Sequence, residues 1–496
     1  MSQKGFDNEL YIKKQTEMIG KRISEFGGKL YLEFGGKLFD DYHASRVLPG
    51  FAPDVKLKML LTMAERVEVV IVISAVDIEN KKVRGDIGIT YDADVLRLID
   101  AFRDSGLYVG SIVIGMYSGQ HSADAFKSRL EKLGMKVYLH YPISGYPSNV
   151  RHVVSPEGLG MNEYIETSRP LVVVTAPGPG SGKMATCLSQ LYHENIRGIK
   201  AGYAKYETFP VWNLPLSSPV NLAYEAATAD LNDVNMIDPY HLEAYGVTSV
   251  NYNRDVESFP VLRAIFDKIY GECPYKSPTD MGVNMVGCGI TDYDVVNEAS
   301  KNEIIRRYYK TRCDIMRGRC KQDAVTKIEL VMNQANISCD DRPVVAAALA
   351  KRDKTEGKPA AALQLPDGRI VTGKTSSLLG PSAALLLNAL KALSGIDHDT
   401  DVINHSVIEP IQKLKTDVLG NHNPRLHTDE VLIALSVSAT FDHNSAIAAG
   451  QLKNLRGSEA HSTVILPPSD EDAFKKLGIN VTCEPEYTTK KLYHKS

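Results

Sequence analysis

Leu171-Val-Val-Val-Thr-Ala-Pro-Gly-Pro-Gly-Ser-Gly-Lys-Met-Ala-Thr-Cys-Leu-Ser-Gln190 is the stretch that decides the fold. Its first six residues are mostly apolar and mostly β-branched without alternation, the pattern of a strand covered on both faces. From Met184 to Asn195 apolar residues recur at helical spacing. A glycine-rich turn joins the two. Outward from this unit the same grammar repeats. Val67–Ala75, Leu107–Gly115 and Met135–His140 read as strands, and Asp92–Ser105 and Ser122–Leu133 as helices between them. Strands recurring after helical segments predict right-handed βαβ units and a mostly parallel sheet, hence an α/β fold.

The turn itself is built for a phosphate. Glycines at 178, 180 and 182 let backbone N–H groups point inward, the helix N-terminus adds partial positive charge, and Lys183 adds a full one. Gly178, Gly180, Ser181, Gly182, Lys183 and Met184 are therefore the predicted contacts to a nucleotide, such as ATP, or to another phosphorylated small molecule. Measured against G-x-x-x-x-G-K-[ST], Pro177 stands at the first glycine and Met184 replaces the hydroxyl residue that holds magnesium. The loop is similar to the PPGSGKG-type loops of adenylate-kinase-like nucleotide kinases, in which a threonine follows one place after; here Thr186 comes two places after. Phosphate binding is expected, and Mg²⁺ coordination is left doubtful. A second stretch, Gly368-Arg-Ile-Val-Thr-Gly-Lys-Thr375, matches the pattern to the letter. Its context is a hairpin: Leu365-Pro-Asp-Gly368 is a turn signature and Arg369–Thr372 the returning strand, so no strand feeds the first glycine. It is not expected to bind nucleotide, although Lys374 could line a site.

Phosphoryl transfer needs a carboxylate at a strand end to organise a metal. Asp77, after VVIVISAV, is the best-placed catalytic candidate beside Lys183, with Asp86 and Asp238 weaker; each also fits a capping or turn aspartate. Lys205, Glu207, Asn253, Arg254 and Asp255 are read as polar loops beyond the phosphate turn, where open α/β sheets complete their pockets. An echo, Glu25-Phe-Gly-Gly-Lys-Leu30 and Glu33-Phe-Gly-Gly-Lys-Leu38, places two glycine turns around a strand Leu30–Phe34, and the following block gathers Lys37, Asp41, His43 and Arg46. Lys37, His43, Arg46, Lys205, Asn253, Arg254 and Lys374 are the substrate candidates. No metal site is expected, because the histidines are dispersed without H-E-x-x-H spacing and no cysteine pair is spaced C-x-x-C.

With 496 residues the chain should hold two or three domains. The main composition shift near 330–345 suggests an N-terminal α/β domain over 1–290 with a P-loop-like turn, a helical segment over 291–338, and a C-terminal α/β domain over 339–496. A formal net charge of −3 argues against nucleic acid as a partner. The longest apolar runs fall far short of the ~20 residues that span a bilayer, and the polar start Met1–Asn8 carries no export pattern. Seven scattered cysteines fit reduced thiols in a cytoplasmic protein.

Several long blocks then stand together: FGGKLFDDYHASRVLPGF, TAPGPGSGKMATCLSQLYHE, ATADLNDVNMIDPYHLEAYG, VNYNRD, LPDGRIVTGK and FKKLGINVTCEP. They resemble a bacterial family known as domain of unknown function 1846, or uncharacterised protein family 0371, over about residues 5–490. The resemblance implies a cytoplasmic multi-domain α/β protein and brings no reaction with it. The C-terminal hairpin before a helix also resembles the cytidine-deaminase scaffold, without its H-x-E and P-C-x-x-C zinc ligands. Three uses of the loop follow: an ATP-dependent kinase or ligase for a small metabolite, a non-catalytic sensor of a nucleotide or sugar phosphate, or a metal-independent enzyme for a phosphorylated substrate. Large bacterial α/β proteins often pair as symmetric dimers, so a homo-oligomer is an open expectation.

Overall fold

The computed structural model describes residues 4–39, 41–85 and 87–489; the aspartate candidate Asp86 lies outside them. The chain forms two compact units, one of Lys4–Tyr224 with Asp233–Ser300, the other of Glu225–Asn232 with the chain from Lys301 onward.

The first unit is organised by six strands: β1 (Leu30–Phe34), β2 (Val67–Ser74), β5 (Tyr108–Gly115), β6 (Lys136–Leu139), β7 (Leu171–Thr175) and β8 (Gly202–Tyr206), with β3 (Val83–Arg84) and β4 (Ile89–Thr90) forming a small hairpin between β2 and β5. Their order is β6-β5-β2-β7-β1-β8, and every neighbouring pair is parallel. A parallel sheet needs both faces covered, which explains the unbroken apolar runs Val69–Ile73 in β2 and Leu171–Val174 in β7. Leu30, Leu32, Val69, Ile71, Ile73 and Val173 join one core with helices Asn8–Glu25, Tyr91–Asp104 and His121–Lys132. Tyr31, Val70, Val72, Val172 and Val174 face the other, with helices Lys183–Ile196 and Asn253–Tyr270. A short antiparallel pair, β9 (Asn235–Ile237) and β10 (Val250–Tyr252), precedes the second of those helices.

Asn251–Asp255 is not a loop: it is the end of β10 and the first turn of the 18-residue helix Asn253–Tyr270. Lys205 likewise lies inside β8. The helical segment expected over 291–338 holds two α-helices, Tyr293–Met316 and Gln322–Gln334, parted where Gly318 adopts φ +70°. The division between the units falls within the first of them.

The second unit holds a sheet of order β12-β11-β13-β14, made from β11 (Ala360–Gln364), β12 (Ile370–Lys374), β13 (Glu459–Ser462) and β14 (Asn480–Cys483). β11 runs antiparallel to β12 and β13, and β13 parallel to β14. β13 pairs with β11 and β14 through Glu459, Ala460, His461 and Ser462. Helix Pro381–Ser394 packs on β11 and β12, and its Leu385, Leu386 and Leu390 share a core with Leu435 of helix Thr428–Ser438, which packs on it. Among the described residues no helix is long and apolar enough to cross a membrane.

Candidate functional site

The register of the first sheet builds the site. Glu33 of β1 stands opposite Val174 of β7 on one side and Lys205 of β8 on the other. Side chains two apart along a strand share a face, so Glu33 lies with Tyr31, and Lys205 with Tyr203, on the face covered by helices 183–196 and 253–270. The N-termini of both helices lie at the carboxyl edge of the sheet, where open α/β folds place their ligands.

Between them sits a charged cluster. Lys205 Nζ is 2.5 Å from Asp255 Oδ2 and 3.3 Å from Glu207 Oε1. Tyr203 Oη donates to Glu33 Oε2 at 2.7 Å. Burial alone would lower the Lys205 ammonium, but Asp255, Glu207 and Glu33 outweigh it and hold the charge on. Burial raises the Glu207 carboxyl, Asp255 and Glu33 add to the rise, and Lys205 and Arg254 oppose it, leaving it at about 7. A carboxyl at that value is poised to give or take a proton. Gly35 makes room for it, since a Cβ there would come 2.6 Å from Glu207 Cγ. Tyr146, in the segment after β6, is close enough to feel Glu33 and Cys187, and burial chiefly pushes its phenol up to about 12.

The glycine-rich turn occupies Ala176–Gly182. Gly180 and Gly182 take φ +75° and +94°, with open space where a Cβ would be. Gly182 caps the helix with no side-chain hydrogen bond, and Ser181 Oγ spans the turn to Gly178 O at 2.9 Å. Among the described residues no acceptor takes the backbone N–H of Gly178, Gly180, Ser181, Gly182, Lys183 or Met184, and Lys183 has no ion-pair partner. Met184 turns its side chain toward the core, so it offers only its N–H; Thr186 is buried at 2% exposure.

Gly178 has a different reason to be glycine. A Cβ there would meet Tyr91 Oη at 2.2 Å and Cζ at 2.7 Å. The Lys82 ammonium lies 4.9 Å from the centre of the same ring and 3.2 Å from Asp77 Oδ1. Asp77 is therefore linked to the loop through Lys82 and Tyr91. Gly178→Ala is expected to lower stability by about 1–3 kcal/mol through overpacking, and Tyr91→Ala in the same chain to recover part of it. Denaturant titration of the two variants checks this. An undiminished midpoint for Gly178→Ala would show that the ring does not rest there.

The remaining candidates scatter. Asp238 is a cap, accepting from His241 N at 3.1 Å and from Thr279 Oγ1 at 2.7 Å. Asn253 Oδ1 accepts from Val234 N at 3.0 Å. Arg254 pairs with Asp233 at 3.5 Å and points largely to solvent. His43 packs its ring on Phe209 and Tyr224, centroids 5.6 and 5.5 Å away, and shares the short helix Tyr42–Val47 with Arg46, capped by Asp41. Lys37 is exposed. Lys374 is exposed and belongs to the second unit. The sequence reading did not pick out Glu33, Tyr91, Tyr146 or Tyr203. Glu33 had a signal, as a carboxylate at the carboxyl end of the apolar strand LYLEF; the tyrosines look like ordinary core aromatics.

Comparison with known proteins covers nearly the whole chain. The model described as domain of unknown function DUF1846, N-terminal, matches residues 4–336, and its C-terminal counterpart matches 340–493. A UPF0371 protein of Streptococcus thermophilus (strain CNRZ 1066) is 60% identical over 495 residues, 100% of both chains. A UPF0371 protein of Streptococcus pyogenes serotype M5 (strain Manfredo) is 58% identical over 490 residues, 99% of each.

Proposed function

The chain belongs to the DUF1846 family of UPF0371 proteins, and we propose that it binds the phosphate group of a small phosphorylated molecule in the turn Pro177–Met184. The observation that carries this reading is the run of amides from Gly178 to Met184 with no acceptor among the described residues, together with Lys183, which has no ion-pair partner among them, at the carboxyl edge of a parallel sheet. Backbone N–H groups and a helix N-terminus are a ready anion site, and a lysine there adds a charge-assisted bond.

Of the three uses such a loop can serve, the side chains favour the metal-independent enzyme for a phosphorylated substrate. Met184 packs into the core where a hydroxyl would hold magnesium, and Asp77 is paired with Lys82. Among the described residues no three His, Cys, Asp or Glu side chains gather as a metal site. The Lys205–Glu207–Asp255 cluster on the same face supplies proton-transfer groups, which supports an enzyme over a sensor. An ATP-dependent kinase or ligase remains the alternative if the nucleotide brings its own magnesium. In the second unit, the β11–β12 hairpin before helix 381–394 supports the likeness to the deaminase scaffold, as a framework without its zinc chemistry.

Thermal unfolding with ATP, GTP and a sugar phosphate, each with and without Mg²⁺, tests the reading. Wild type is expected to be stabilised without metal, and Lys183→Ala to bind at least tenfold more weakly, about 1.4 kcal/mol. Stabilisation of the two proteins to the same extent would refute the phosphate assignment. A requirement for ATP together with Mg²⁺ would move the reading to the kinase or ligase.

A further inference from the structure

A cavity of about 180 Å³ lies against the carboxyl end of β8. That is below the ~300–1,000 Å³ of pockets for drug-sized ligands, and suits a fragment of one or two rings. Phe209, Pro210, Trp212 and Met285 give it apolar walls, and Lys205, Glu207 and Asp255 line it too. Trp212 is fixed in place, because Nε1 donates to Asn284 O at 2.7 Å.

The charges in this cavity differ from those of the phosphate turn. Its two cations are already neutralised: Lys205 by Asp255 and Glu207, and Arg22 by Asp280 at 3.5 Å. With Glu207 ionised, three carboxylates (207, 255, 280) face two cations, so a free anion is disfavoured. Glu207 Oε2, in contrast to Oε1, has no donor among the described residues. A half-buried acceptor beside an aromatic wall suits a flat ligand with N–H groups on its edge, since the ring is desolvated against apolar carbon while the edge keeps a hydrogen-bond partner.

We propose that this cavity is a second binding site, taking a planar nitrogen-bearing ring of nucleobase size whose N–H edge donates to Glu207 and whose face lies on Trp212. The site stands whether or not the turn at Pro177–Met184 binds phosphate.

Trp212 is the only tryptophan in the chain, so its fluorescence reports on the cavity directly. The probes are uncharged nucleosides: adenosine, guanosine, cytidine and thymidine. At least one is expected to change the emission saturably. Glu207→Ala should weaken that binding at least tenfold, and Trp212→Ala, followed by calorimetry, should do the same. Lys183→Ala should leave it unchanged, which separates this site from the phosphate turn; inorganic phosphate should leave the emission unchanged as well. No saturable change with any nucleoside up to millimolar concentration would overturn the proposal. So would nucleoside binding that survives both cavity variants.

Discussion

Replacing Gly373 by alanine is expected to destabilise the second unit by about 3 kcal/mol or more, near the upper end of overpacking effects. The added Cβ would fall 2.3 Å from Leu385 N, 2.6 Å from Leu385 Cα and 2.8 Å from Pro381 O. All three are backbone atoms of the helix packed on β12, so no rotamer change relieves them; strand and helix must part. The neighbouring Lys374→Ala, at an exposed position, should stay within about 0.5 kcal/mol of wild type. Denaturant unfolding of both variants gives the comparison. The pair matters for function because Gly373 and Lys374 are the glycine and lysine of the stretch that matches the phosphate-loop pattern to the letter. If packing explains the glycine and nothing depends on the lysine, the match is incidental. A tolerated Gly373→Ala, together with loss of phosphate binding in Lys374→Ala, would reverse that conclusion.

Asp41→Ala should have an effect of similar size in the first unit. Lys56 is wholly buried, and its ammonium lies 2.6 Å from Asp41 Oδ2 and 5.7 Å from the centre of the Tyr206 ring. Asp41 Oδ1 meanwhile caps the helix Tyr42–Val47 at Ala44 N, 3.1 Å away. Removing one partner of a buried ion pair leaves an uncompensated charge and costs about 3–5 kcal/mol. The double variant Asp41→Ala with Lys56→Met removes both charges and should recover most of the loss; failure to recover would place the cost in the lost cap instead. Burial alone would raise the Asp41 carboxyl, yet Lys56 and the cap hold it below the ordinary value. Its contribution is therefore complete above the unfolded value, about 4, and fades as pH falls through the lower folded one. Wild type should lose stability in that acid range through this group, and Asp41→Ala should lack that component.

The sheet was legible because burial on both faces leaves a simple mark: β2, β5 and β7 are dominated by Val, Ile and Leu without polar–apolar alternation. The helix Asn8–Glu25 was not, for a physical reason. Its buried face is Tyr11, Gln15, Ile19 and Ile23, and Gln15 breaks the apolar stripe. That amide is satisfied by distant backbone, donating to Val283 O at 2.5 Å and accepting from Met285 N at 2.9 Å, partners 268 and 270 residues away that no local pattern reveals. The helix at Asn253 was hidden likewise, because NYNRD carries turn-type residues and its apolar face starts only at Val256. Within the site, the glycines and Lys183 announced themselves by spacing. Glu207 and Asp255 were noticed as polar, and Glu207 does follow the end of β8; that Asp255 joins it on Lys205 depends on helix 253–270 starting beside that strand end, a packing that the sequence leaves unwritten.

The central claim is that the amides of the turn hold a phosphate, and ¹⁵N-glycine labelling observes those amides directly. On titration with a sugar phosphate or ATP, the resonances of Gly178, Gly180 and Gly182, assigned by single substitution, should shift and saturate together in wild type and hold still in Lys183→Ala. Saturable binding that leaves these three resonances in place, or shifts them equally in Lys183→Ala, would contradict the account.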